Sequence, residues 1–113
     1  MSDFFLKRND LLPVLAATLE DADGAIDLAG ATVKLLMRDR ALGTVKVNAA
    51  ATVVQVGDGT DGSKGKVSYT WAGTNTDTAG TYDAEWQITF STGKTLTVPN
   101  DVYDSVVIVA DLA

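Results

Sequence analysis

The stretch Thr81-Tyr82-Asp83-Ala84-Glu85-Trp86-Gln87-Ile88-Thr89-Phe90 decides the fold class. Side chains of an extended strand point alternately to its two faces, so Tyr82, Ala84, Trp86, Ile88 and Phe90 line one face and Asp83, Glu85, Gln87 and Thr89 the other. Such a stripe belongs to a strand with one face on a core and the other in water. Ser91-Thr92-Gly93 then closes a hairpin onto residues 94–98, and a last strand is expected over about residues 103–109.

Upstream, the same texture repeats. Residues 31–38 place Val33, Leu35 and Met37 on one face and Thr32, Lys34 and Arg38 on the other. Leu36 breaks this alternation, as a residue that covers a strand edge or meets a partner would. Residues 12–19, with Leu15, Ala17 and Leu19 in alternation, read as the first strand of the body of the domain. Two short strands are expected at 44–48 and 52–56. Ala49-Ala50-Ala51 between them fits a strand crossing, a bulge or one helical turn. Asp21-Ala22-Asp23-Gly24 is a turn, since Asp side chains cap local amides and Gly takes positive φ without strain. Residues 57–65 are so rich in glycine that they read as a mobile loop leading to Val67, Tyr69 and Trp71. No segment keeps a helical period. The chain is therefore all-β, with about seven or eight antiparallel strands spaced as in a sandwich.

Asp77-Thr78-Ala79-Gly80-Thr81-Tyr82 refines that class. An Asp, a small-Gly pair and a Tyr at the head of a late strand is the pattern of a tyrosine corner, in which the hydroxyl satisfies backbone at the turn and the ring packs inward. Asp77, Gly80 and Tyr82 are the corner residues, and the domain is expected to be an immunoglobulin-like β-sandwich. At 113 residues the chain has room for one core, so residues 1–113 are expected to form a single domain.

Composition narrows function by exclusion. The chain has no His and no Cys, so the usual general base and the thiol nucleophile are both missing and catalytic triads in their common forms are excluded. No catalytic residue is assigned, and the expectation is not an enzyme. Asp58-Gly59-Thr60-Asp61 and the 21–24 turn offer oxygens to a hard cation, yet neither carries the alternating acidic run and distal Glu of a calcium loop. No metal site and no cofactor are expected. A formal charge of -6 with nine Lys and Arg gives no basic patch for a phosphate backbone, so nucleic acid is not an expected partner. The longest apolar runs fall far short of the ~20 residues of a membrane helix, and the N-terminus lacks the features of an export signal. No membrane partner is expected, and synthesis is expected in the cytosol. Tyr69, Trp71 and Trp86 would suit a sugar-stacking platform, but Tyr69 and Trp86 lie in register with aliphatic residues of their own strands, which favours the core.

Phe4-Phe5-Leu6 is the remaining anomaly, because chain ends usually fray and these large apolar residues need a cover. Residues 1–10 form either an edge strand of the domain itself or an arm that docks on a neighbouring subunit by strand addition. Phe4, Phe5, Leu6 and Leu36 are accordingly the candidate partner-contact residues.

The order of these motifs carries a resemblance. Asp3-Phe4-Phe5-Leu6-Lys7-Arg8-Asn9-Asp10, Leu12-Pro13, Ala17-Thr18-Leu19-Glu20-Asp21-Ala22-Asp23-Gly24 and Ile26-Asp27-Leu28-Ala29-Gly30-Ala31-Thr32-Val33 come first. Met37-Arg38, Asn48-Ala49-Ala50-Ala51, Ala79-Gly80-Thr81-Tyr82-Asp83-Ala84-Glu85-Trp86 and Val98-Pro99-Asn100-Asp101 follow. Together they resemble the N-terminal domain of the upper baseplate proteins of tailed bacteriophages. The resemblance implies an immunoglobulin-like domain of a virion, assembled in the host cytoplasm, multi-copy or homo-oligomeric in the particle, whose partners are other virion proteins of the tail, baseplate or capsid. In that family the domain heads a longer chain, whereas this sequence stops at Ala113. An accessory tail or baseplate component fits best; a capsid decoration protein and a carbohydrate-binding module for host attachment are the alternatives, with a metal-assisted hydrolase behind them.

Overall fold

The computed structural model describes residues 3–99 and 104–110. Among them the chain is all-β, without a helix. The strands are β1 (Asp3–Lys7), β2 (Leu15–Thr18), β3 (Glu20–Asp21), β4 (Gly24–Ala25), β5 (Thr32–Asp39), β6 (Val45–Ala50), β7 (Thr52–Val53), β8 (Lys66–Tyr69), β9 (Gly80–Thr89), β10 (Thr95–Val98) and β11 (Asp104–Val109).

The larger sheet runs in the order β1-β11-β9-β5-β6, with β10 on the far half of β9. A smaller sheet runs β2-β8-β7, and β3 and β4 form a short hairpin of their own. All pairs are antiparallel except β1 with β11, which run parallel from Asp3↔Ser105 to Lys7↔Val109. The expectation of about seven or eight antiparallel strands is thus corrected in number and in direction. The additional strands are two-residue pieces, too short to show a period, and the parallel pair joins segments from opposite ends of the sequence.

The alternation of β9 is realised: Tyr82, Ala84, Trp86 and Ile88 are buried. They meet Val33, Leu35 and Met37 from β5, and Val67 and Tyr69 from the smaller sheet complete the same buried cluster. The aromatic rings sit within it. Tyr69 and Trp71 meet edge to face with centroids 5.4 Å apart, and Phe4 of β1 lies 6.2 Å from Trp71, which ties the larger sheet to the segment after β8. Trp71 donates its indole N–H to the Pro13 carbonyl at 3.1 Å, so its polar atom is satisfied inside the core.

Ala49-Ala50-Ala51 is the strand crossing. β6 ends at Ala50 in the larger sheet and β7 begins at Thr52 in the smaller one, while the Ala51 amide still donates to Val33 O of β5 at 2.9 Å. Small side chains let the chain change sheets without displacing the core.

The loop over 57–65, expected to be mobile, is tied down. Gln55 Oε1 accepts from the amides of Leu28 (2.8 Å) and Gly65 (3.1 Å), and its Nε2 donates to Asp27 Oδ1 (2.7 Å) and Gly57 O (2.8 Å). One amide side chain thereby closes both ends of the loop. Gly65 is required there: its φ is +77°, and a Cβ would lie 2.7 Å from Leu19 O.

Candidate functional site

The outer face of the larger sheet follows from the strand registers. Glu85 of β9 pairs with Leu36 of β5, which pairs in turn with Asn48 of β6; one step along, Asp83 pairs with Arg38, and Arg38 with Val45. Leu36 therefore stands outward among polar neighbours, which accounts for its break in the apolar alternation of β5. Leu36, Met37, Arg38, Val45, Asn48, Asp83 and Glu85 border a shallow depression of about 290 Å³. Val45 is 68% exposed, and Leu42 in the adjacent turn is 76% exposed.

Asp83 is unusual for an outward strand position, being only 8% exposed. Arg40, beyond the end of β5, folds back over it. Arg40 Nε donates to Asp83 Oδ1 at 2.8 Å, and its Nη2 lies 2.8 Å from the same oxygen and donates to Ser105 Oγ at 2.8 Å. Arg38 Nη2 stands 3.9 Å from the other carboxylate oxygen. The planar fork suits this task, since one guanidinium bridges a carboxylate on β9 and a hydroxyl on β11. Nothing in the sequence singles out Arg40, because a lone Arg beside a turn carries no signal of the partner it will reach.

A bulge positions the neighbouring contact. The register of β5 with β6 passes from Met37↔Val47 to Arg38↔Val45, so Lys46 is the extra residue. Its ammonium pairs with the Asp77 carboxylate, which also accepts from Thr78 Oγ1 at 2.9 Å. These hydrogen bonds, the one from Lys46 foremost, hold the Asp77 carboxyl below its ordinary range. Tyr82 Oη donates to Thr78 O at 2.7 Å while its ring is buried, the geometry of a tyrosine corner. Burial raises the Tyr82 pKa above its usual value of 10.0, so near neutral pH the hydroxyl is a donor and no base. Gly80 opens β9 beneath that ring.

The candidate partner-contact residues separate. Phe4 packs on Trp71, and Leu6, 5% exposed, belongs to the core; Leu6 is corrected from contact residue to core residue, since β1 lies on β11 and turns its even positions inward. Phe5, 61% exposed, faces solvent, and Leu36 is half-buried on the outer face. Residues 3–7 of the expected arm are thus an edge strand of the domain, and residues 1 and 2 lie outside the described part. Thr76 fastens the segment that follows: its carbonyl accepts from the Asn9 amide at 2.8 Å and its buried hydroxyl donates to Asp10 O at 3.0 Å.

The acidic loops use their carboxylates locally. Asp21 accepts from the Asp23 amide, Asp58 from the Thr60 amide, and Asp61 from both the amide and the hydroxyl of Ser63. Among the described residues no group of three or more acidic side chains is placed to hold a metal ion. Tyr69, Trp71 and Trp86 are all buried, so they offer no stacking platform. A second groove, of about 420 Å³, opens between β2 and the larger sheet; its lining includes Phe4, Leu15, Trp86, Val98 and Val106.

The outer face of the larger sheet is thus a mixed apolar and ionic surface. No protein-family model matches the chain, and no curated protein sequence is significantly similar to it.

Proposed function

We propose that this chain is an immunoglobulin-like β-sandwich and a structural protein of a bacteriophage virion, an accessory tail or baseplate component that binds other virion proteins. The observation that carries this reading is the ordered resemblance to upper baseplate proteins, which extends from Asp3-Phe4-Phe5-Leu6 to Val98-Pro99-Asn100-Asp101. Two features of the molecule support it. The larger and smaller sheets share one buried cluster, with a tyrosine corner at the head of β9, as in sandwiches of this class. The outer face sets Leu36 and Val45 among Arg38, Asp83 and Glu85, the mixture of apolar anchors and charges that protein interfaces use.

Capsid decoration is the alternative reading, and copy number distinguishes it. A carbohydrate-binding module is disfavoured by the burial of Tyr69, Trp71 and Trp86. The test is complementation of a phage lacking the gene with the wild-type chain or with Leu36→Asp. Wild-type protein is expected in purified particles and the variant, checked for folding by circular dichroism, is expected to be depleted at least tenfold. Failure of the wild-type chain to enter particles overturns the reading; equal entry of Leu36→Asp removes the outer face from it.

A further inference from the structure

Strand β1 is an edge of the larger sheet, and among the described residues only β11 pairs with it. The ladder fixes which backbone groups are spare. The Arg8 amide donates to Val109 O, so by alternation the N–H and C=O groups of the even positions turn toward β11 and those of positions 3, 5 and 7 turn outward. The Lys7 carbonyl accepts one hydrogen bond from the Asp10 amide. The middle of this edge, Phe4-Phe5-Leu6, holds no Pro, no bulge and no charge; the charged residues of the strand, Asp3 and Lys7, stand at its two ends. The opposite edge, β6, is interrupted by its bulge at Lys46.

We propose that the open edge of β1 is a self-association surface, occupied by β1 of a second copy laid antiparallel about a two-fold axis through Phe5. The sequence is self-complementary in that register alone. Phe5 faces Phe5 of the partner subunit as a hydrogen-bonded pair, each donating its amide to the other's carbonyl. Position 3 falls opposite position 7 of the partner subunit at both ends of the pairing, a register that sets Asp against Lys in the sequence. Phe4 and Leu6 fall opposite Leu6 and Phe4 of the partner subunit on the inward face, which continues the apolar layer from one sheet into the next. A slip of two residues sets Phe5 opposite an ionic residue and loses the charge pairing. The occupant is therefore a second copy rather than an unrelated strand. This inference stands apart from the virion reading, because it concerns the isolated protein.

The absence of cysteine makes a direct test available. An antiparallel hydrogen-bonded pair sets its Cα atoms ~5.5 Å apart, within the span of a disulfide. Phe5→Cys, at an exposed position, is expected to give a covalent dimer under mild oxidation, while Leu42→Cys, at a more exposed site, stays mostly monomeric. Sedimentation equilibrium provides the second arm. Lys7→Glu and Asp3→Lys each set like charges across the axis and are expected to raise the dimer dissociation constant about tenfold or more. Mixing the two variants places Lys opposite Glu and Asp opposite Lys, and dimer is expected to return. A wild-type chain that stays monomeric through the high-micromolar range overturns the proposal. So does a dimer that is indifferent to the charge variants, or equal cross-linking at positions 5 and 42.

Discussion

Replacing Arg40 by Ala should cost more stability than a surface ion pair normally contributes. Arg40 holds Asp83 through two nitrogens at 2.8 Å and Ser105 through a third contact at 2.8 Å. Without it, a carboxylate that is 10% exposed is left with Arg38, at 3.9 Å. Stranding a fully buried charge costs roughly 3–5 kcal/mol, whereas an exposed pair is worth about 0–1 kcal/mol. The Arg40 side chain is 49% exposed, so water partly replaces it and the expected loss is about 2 kcal/mol. For a domain of this size that corresponds to a fall in Tm of about 8 °C. Equilibrium urea unfolding provides the assay, followed by emission of the buried Trp71 and Trp86. Arg40→Lys should lose about half as much, since an ammonium cannot bridge both acceptors as the fork does. Adding Asp83→Ala to Arg40→Ala should restore about 1 kcal/mol, because the stranded charge goes with it. A loss below about 0.5 kcal/mol for Arg40→Ala, or strict additivity of the two substitutions, would mean that Arg40 does not neutralise Asp83.

Three further outcomes are expected. Tyr82→Phe removes the hydrogen bond to Thr78 O and keeps the ring, so it should cost about 1 kcal/mol in the same urea assay. Gly65→Ala should cost more, about 2 kcal/mol or above, because a Cβ there meets Leu19 O at 2.7 Å on a backbone with φ +77°; Gly93→Ala, with nothing within 4 Å, isolates the contribution of φ alone. Stability should fall in alkali: burial raises Tyr69 and Tyr82 above 10.0, so the unfolded chain ionises first. The contribution is whole below pH ~10 and is lost as pH rises toward the folded-state values, which a urea midpoint series from pH 8 to 11 would show.

Residues that repeat were legible in the sequence, and residues that act singly were not. The alternation from Tyr82 to Ile88 specifies a face, and burial follows from it directly. The same logic placed Tyr69, Trp71 and Trp86 in the core. Alternation gives faces but not neighbours, so the parallel union of β1 with β11 has no sequence signature, and the sequence leaves edge strand and docking arm open for Phe4-Phe5-Leu6 although Leu6 lies in the core of its own chain. Two-residue strands such as Glu20–Asp21 are shorter than any period. Gln55 and Arg40 carry much of the polar architecture, yet each is a single side chain whose partners lie far along the sequence, 27 residues away for Gln55 with Leu28 and 43 for Arg40 with Asp83. The glycines of residues 57–65 signalled freedom, while the fold uses Gly65 for close approach.

Quantitative mass spectrometry of purified particles, with the major capsid and tail-tube proteins as internal standards, decides whether this chain is a virion component. The chain is expected to co-purify with the virion at a fixed ratio: a handful of copies for a baseplate or tail-tip component, and hundreds for decoration of the capsid or tail tube. Recovery of the chain only in the soluble fraction of infected cells, with none on particles, would contradict it.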